Sequence, residues 1–179
     1  MAKMPPHSKP VEFLYRSGYA VQAVGFLVLL ASANPSSFNL ILTIAGYALI
    51  DLGIFISGIL LQVYDRRVKI IILSAYFIGL ALQKIGFLAG LWWLGPLGLG
   101  IAFIAAAGLG GKEAYCFAIN EGWLMTPLLA ILAITLFVHG FKPMPLIFLR
   151  LIIAVVALDY VSFSIKKFRK PFLSGCEKS

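Results

Sequence analysis

The sequence predicts an all-α polytopic membrane protein, a bundle of six transmembrane helices with both termini cytoplasmic. Three observations lead there. Composition comes first: of 179 residues, 61% are hydrophobic and 12% charged, with a mean hydropathy of +0.96. A soluble domain carries roughly half apolar and a quarter charged residues, so that class is excluded. Second, the apolar residues fall into six runs near the length of about 20 residues that a helix needs to cross the hydrocarbon core. Third, Lys and Arg gather on alternate connections, as cytoplasmic loops do. The net charge of +8 sits in short clusters between the runs, which argues against disorder and against a nucleic-acid-binding face.

Taken in order, the spans are Ser17 to Ala33, Leu40 to Val63, Val68 to Phe87, Leu91 to Gly111, Trp123 to Gly140 and Pro145 to Ile165. Asn34-Pro35-Ser36-Ser37 ends the first with turn formers and a Pro that a helix interior rejects. Ala31-Ser32-Ala33 would also suit a signal-cleavage site, which is the alternative reading of that span. Asp65-Arg66-Arg67-Val68-Lys69 separates the second span from the third. The third turns near Gly90, where Trp92-Trp93 suits the headgroup level and Lys84 can snorkel to it. Lys142-Pro143-Met144-Pro145 separates the last two spans.

With the N-terminus inside, Lys3, Lys9, Arg16, Arg66, Arg67, Lys69, Lys112, Lys166, Lys167, Arg169, Lys170 and Lys178 are cytoplasmic. Lys84, Lys142 and Arg150 lie toward the outside. An odd number of spans would place the basic tail opposite the basic N-terminus. The chain therefore divides into a basic cytoplasmic N-terminal tail (1–16), a six-helix transmembrane domain (17–165) and a basic cytoplasmic C-terminal tail (166–179). Cys116 and Cys176 both fall on the cytoplasmic side, so they are expected to stay reduced, without a structural disulfide.

Helices in lipid associate where small residues let backbones approach. The fourth span carries Gly98, Ala102, Ala106 and Gly110 at four-residue spacing and is expected to be central. The third offers Ala75, Gly79, Gly86 and Gly90. In the second, Gly46, Gly53 and Ser57 share a face pointing away from Asp51.

Three ionisable residues fall within spans. Asp51, near the middle of the second, reads either as a proton relay or cation ligand, or as a hydrogen-bonded residue fixing helix register. Arg150 and Asp159 are nine residues apart, on opposite faces of the sixth span. Arg150 either snorkels outward or reaches toward Asp51, whereas Asp159 forms a stripe with Ser162 and Lys166. Only two histidines occur, His7 and His139, so paired haem ligation within one chain is not available.

Between the fourth and fifth spans, Gly110 to Gly122 is expected to form a short helix or re-entrant turn at the inner interface. This brings Lys112, Glu113 and Glu121 together. Lys112 stands one helical turn before Cys116 and could activate its thiol. The stretch Lys112-Glu113-Ala114-Tyr115-Cys116-Phe117, with Glu121-Gly122 and Thr126-Pro127 downstream, resembles an uncharacterised bacterial integral-membrane family, domain of unknown function 2301. The likeness is strongest over Gly108 to Leu129. It implies a bacterial inner-membrane setting and marks Lys112, Glu113, Cys116 and Glu121 for testing, without supplying a reaction.

Dinucleotide, phosphate-loop and nucleophile-elbow patterns are missing from the sequence, so no cofactor, metal or catalytic set is expected. The leading functional expectation is a non-enzymatic accessory or scaffold subunit binding a larger membrane complex or a lipid-like ligand. A small ion- or proton-linked transporter, oligomeric and using Asp51, is the alternative. A membrane enzyme using Cys116 or Glu113 comes third. Under each, Glu113→Gln and Cys116→Ser are expected to impair function without changing abundance.

Overall fold

The computed structural model describes residues 8–33, 39–61, 66–91, 93–142 and 145–170. They form six α-helices: α1 (Lys9–Ser32), α2 (Leu40–Ile59), α3 (Arg66–Ala89), α4 (Leu94–Phe117), α5 (Asn120–Phe141) and α6 (Leu146–Arg169). All six are long and apolar enough to cross a membrane. The ends differ from expectation in both directions: α2 stops at Ile59 and α4 starts at Leu94, inside the expected spans, whereas other helices run past theirs. Charged and polar residues read as tails or loops are wound into helices, because a helix end can project its side chains while its backbone stays paired. Thus α1 begins at Lys9, with Pro10 at its first turn, where the missing N–H costs nothing. Likewise α6 runs on to Arg169, so residues 9–16 and 166–169 belong to the bundle.

The turn near Gly90 forms as expected. Gly90 takes φ +66°, and the Leu91 N–H bonds the Gly86 carbonyl at 2.9 Å, closing the last turn of α3. The expected inner-interface segment does not form. α4 continues unbroken to Phe117, and Ala118, at φ 51°, and Ile119 alone connect it to α5. The glycines at 110 and 111 stay helical because the former lies against Met125 and Gly122 of α5, where tight packing replaces the missing side chain.

Around the bundle, α2 packs on α1, α1 on α6, α6 on α5, α5 on α4 and α4 on α3, while α2 touches α3 and α4 only sparsely. The α1–α2 contact is the closest. A Cβ placed on Gly53 would stand 2.5 Å from the Gly18 carbonyl oxygen and 2.8 Å from the Gln22 nitrogen, so the two backbones meet directly. Gly46, Gly53 and Ser57 therefore line the α1 interface, and Asp51 looks the other way, as their spacing predicts. Similarly, Gly79 on α3 meets the Gly98 carbonyl and Ala102 on α4. Half of the α4 span is buried, in keeping with a central helix, but half of α1 is buried too. Aromatic rings fill the space these backbones leave: Phe26 lies 4.6 Å from Tyr160 and 6.0 Å from Phe103, and Tyr19 lies 5.0 Å from Phe163, centroid to centroid.

A buried charge cluster as the candidate functional site

Three helix ends converge where α1 begins and α4 and α6 finish. On α1, Glu12 and Arg16 stand one turn apart, as do Tyr15 and Tyr19, so one end of the helix presents a charged edge beside a phenolic edge. α4 contributes Lys112, Glu113 and Phe117 from its last two turns, and α6 contributes Lys167. Glu113 and Lys167 are both fully buried, and Arg16 is 1% exposed.

Glu113 is the hub. Its Oε1 accepts from the Tyr15 hydroxyl at 2.5 Å and from Lys112 Nζ at 2.7 Å, and its Oε2 accepts from Lys167 Nζ. Arg16 Nε donates to Glu12 Oε1 at 2.7 Å, while its Nη1 donates to the carbonyls of Lys167 and Lys170, each at 2.7 Å. Those carbonyls close α6, where the Lys167 carbonyl otherwise accepts only a long 3.3 Å bond from the Lys170 N–H, so the guanidinium caps the helix and meets the negative end of its dipole. The Lys167 ammonium also sits 3.7 Å from the centroid of the Phe117 ring and 4.0 Å from Glu12 Oε1. Tyr19 joins through its hydroxyl, 2.9 Å from that of Tyr15. Each buried ion thus meets opposite charge and directional donors, the condition under which burial of ions is tolerated.

The residues singled out from the sequence are distributed differently from expectation. Glu121 does not join Lys112 and Glu113. It opens α5 and binds α6 instead, accepting from Ser162 Oγ at 2.9 Å and from Lys166 Nζ. The stripe of Asp159, Ser162 and Lys166 therefore serves in part as the α5 anchor, while Asp159 is 9% exposed and its Oδ2 has no hydrogen-bond partner among the described residues. Arg150 makes no ion pair among the described residues and does not reach Asp51, because α2 and α6 are not neighbours. Asp51 instead accepts from Gln83 Nε2 on α3 at 3.5 Å.

Cys116 corrects a further expectation. It is disulfide-bonded, so it presents no thiol for Lys112 to activate, and Lys112 is committed to Glu113. The other cysteine, Cys176, lies outside the described residues.

Sequence reasoning missed Glu12, Tyr15, Arg16, Tyr19 and Lys167, assigning the charged ones to tails and topology. A signal was present: Glu12 and Arg16 at helical spacing, interleaved with Tyr15 and Tyr19, read as a continuation of the first span. Comparison of the chain with family models, with curated proteins and with solved structures found no match.

Proposed function

We propose that this is an integral-membrane accessory or scaffold subunit, in which the buried cluster clamps α1, α4 and α6 so that the basic end presents a fixed surface to a partner membrane complex. The observation that carries this reading is how fully Glu113 is engaged. Tyr15, Lys112 and Lys167 occupy both its oxygens and the residue is wholly buried. A catalytic acid or base needs reach to a substrate proton, and a coupling carboxylate needs to change partners. Around the clamp stand exposed Arg66, Arg67, Lys166 and Arg169, which suit an acidic protein face or anionic headgroups. In this reading the protein sits in a bacterial inner membrane, the setting its family resemblance implies, with the basic end cytoplasmic, as the distribution of Lys and Arg suggests.

The test is mild-detergent extraction of a tagged chain expressed at its natural level, followed by native electrophoresis and mass spectrometry of the co-purified bands. Stoichiometric co-migration with other membrane subunits is expected. Recovery of the chain alone or as a homo-oligomer would reject the accessory role. Orientation has its own test, because a basic excess and a disulfide at the same end favour opposite compartments. Single cysteines in a Cys116→Ser, Cys176→Ser background should react with impermeant maleimide on intact cells at Asn39 and not at Arg67. The reverse pattern would put the clamp outside.

A second reading rests on Asp51. It is buried in α2 with one long hydrogen bond from a neutral amide, which suits a carboxylate that exchanges an ion during transport. Ion flux in proteoliposomes that Asp51→Asn abolishes would favour this alternative.

A further inference from the structure

Asp51 is the twelfth residue of the 20-residue helix α2, about 17 Å along an axis of about 30 Å, near the midplane if α2 spans a bilayer. It is 7% exposed, and the cation that acts on it, Lys84 beside Gln83 on α3, makes no ion pair with it within 4.0 Å among the described residues. A carboxylate at that depth is costly unless something neutralises it. The chain supplies Gln83 at 3.5 Å, and the chemistry of the remaining surroundings indicates what else would fit.

Those surroundings are aromatic. Phe55 follows Asp51 by one turn on α2, and its ring lies 6.1 Å from Tyr76 and 6.4 Å from Phe77, both on α3. Tyr47 precedes Asp51 by one turn. The hydroxyls of Tyr47 and Tyr76 make no hydrogen bond among the described residues. This seam is one of the two sparsest helix contacts in the bundle, and Phe55 and Phe77 are 37% and 50% exposed. One carboxylate and one amide are too few oxygens for Mg2+ or Ca2+, which take six or more, whereas aromatic faces attract large, weakly hydrated cations.

We propose that the α2–α3 seam is a binding site for a lipophilic organic cation, whose charge is met by Asp51 and whose apolar groups lie against Phe55, Tyr76 and Phe77. Such a molecule partitions into the bilayer and enters sideways between the two helices. Binding here requires neither transport nor the accessory role, so it stands or falls separately from both.

The probe is radiolabelled tetraphenylphosphonium, titrated against the full chain in phosphatidylcholine nanodiscs, with empty nanodiscs subtracted. One saturable site per chain is expected. Asp51→Asn should weaken it by about tenfold or more, Asp51→Glu should retain it, and Phe55→Leu should weaken it by several-fold. Absence of a saturable component in the wild-type chain overturns the proposal whatever the variants do. So does equal affinity in a folded Asp51→Asn, judged by elution and circular dichroism. Displacement of the probe by sodium chloride as effectively as by dodecyltrimethylammonium would assign the site to an inorganic cation and likewise overturn it.

Discussion

The two polar regions of this bundle handle the same problem in opposite ways. At the α1–α4–α6 end, two carboxylates, two ammonium groups and a guanidinium are held together, with two tyrosine hydroxyls and two helix-terminal carbonyls completing the set. In the α2–α3 seam a single carboxylate meets a single amide. The first region lies where helix ends leave carbonyls to be capped and where side chains from three helices converge. The second lies mid-helix, where the backbone offers no free partners. Closely paired charge fastens helices, and a carboxylate met only by one amide and a more distant Lys84 in a sparse seam leaves a place for something else to bind.

The largest expected effect comes from opening the compensated region. Glu113→Leu strips Lys167, which is fully buried, of its closest carboxylate, and breaking a buried pair from one side costs about 3–5 kcal/mol. The variant should therefore be depleted from the membrane fraction and should unfold earlier in a detergent-denaturant titration. Glu113→Leu combined with Lys167→Met should recover most of the loss, because no fully buried charge is then left stranded, and Lys112, which also loses its partner, keeps a side chain 17% exposed. Normal abundance of the single variant would mean that the cluster does not fasten the helices, and it would restore the functional role first assigned to Glu113.

An intermediate effect separates the two faces of α2. On the α1 side, Gly53→Val drives a branched side chain into a backbone contact where even a Cβ would stand 2.5 Å from a carbonyl oxygen. Overpacking of this kind costs about 1–3 kcal/mol. Toward α3, Gly58→Ala meets only the Cδ2 of Leu73 at 3.3 Å, the far end of a flexible side chain. Because Ala favours a helix by up to about 1 kcal/mol over Gly, this change should be neutral or stabilising in the same titration. Equal losses at both positions would contradict the contrast between a tight face and a sparse one.

How much of this the sequence discloses follows from the range of each signal. Span number, the Gly90 turn and the direction of the Gly46–Gly53–Ser57 face are periodic or local properties, readable along one helix at a time. The cluster is not local. Glu113 meets Tyr15 and Lys167 only because α4 and α6 end beside the start of α1, and a basic residue serving topology looks the same in sequence as one buried in a clamp. Lys167 was read as the former and is the latter. The inner segment was misjudged for a related reason: glycines free to leave a helix remain in it when a neighbouring backbone presses against them, as Gly122 does against Gly110. Asp51 stood out from the beginning because its cost depends on depth alone, which sequence does reveal.

The smallest expected effect is at Asp51 itself. Its one hydrogen bond is long, and interhelical hydrogen bonds in membranes average about 0.6 kcal/mol, so Asp51→Leu should cost no more than about 1 kcal/mol. Asp51→Asn should cost less, since an amide can still accept from Gln83 while offering a donor of its own. Removing a carboxylate that only the more distant Lys84 attracts also removes much of the expense of burying it, which pulls the balance toward stability. Fold and function thus separate at this position. Both variants should be as abundant as the wild-type chain and assemble as it does, yet both should bind tetraphenylphosphonium about tenfold or more weakly. A loss on the scale expected for Glu113→Leu would instead make Asp51 a second structural anchor, and the seam would then resemble the clamp more than it differs from it.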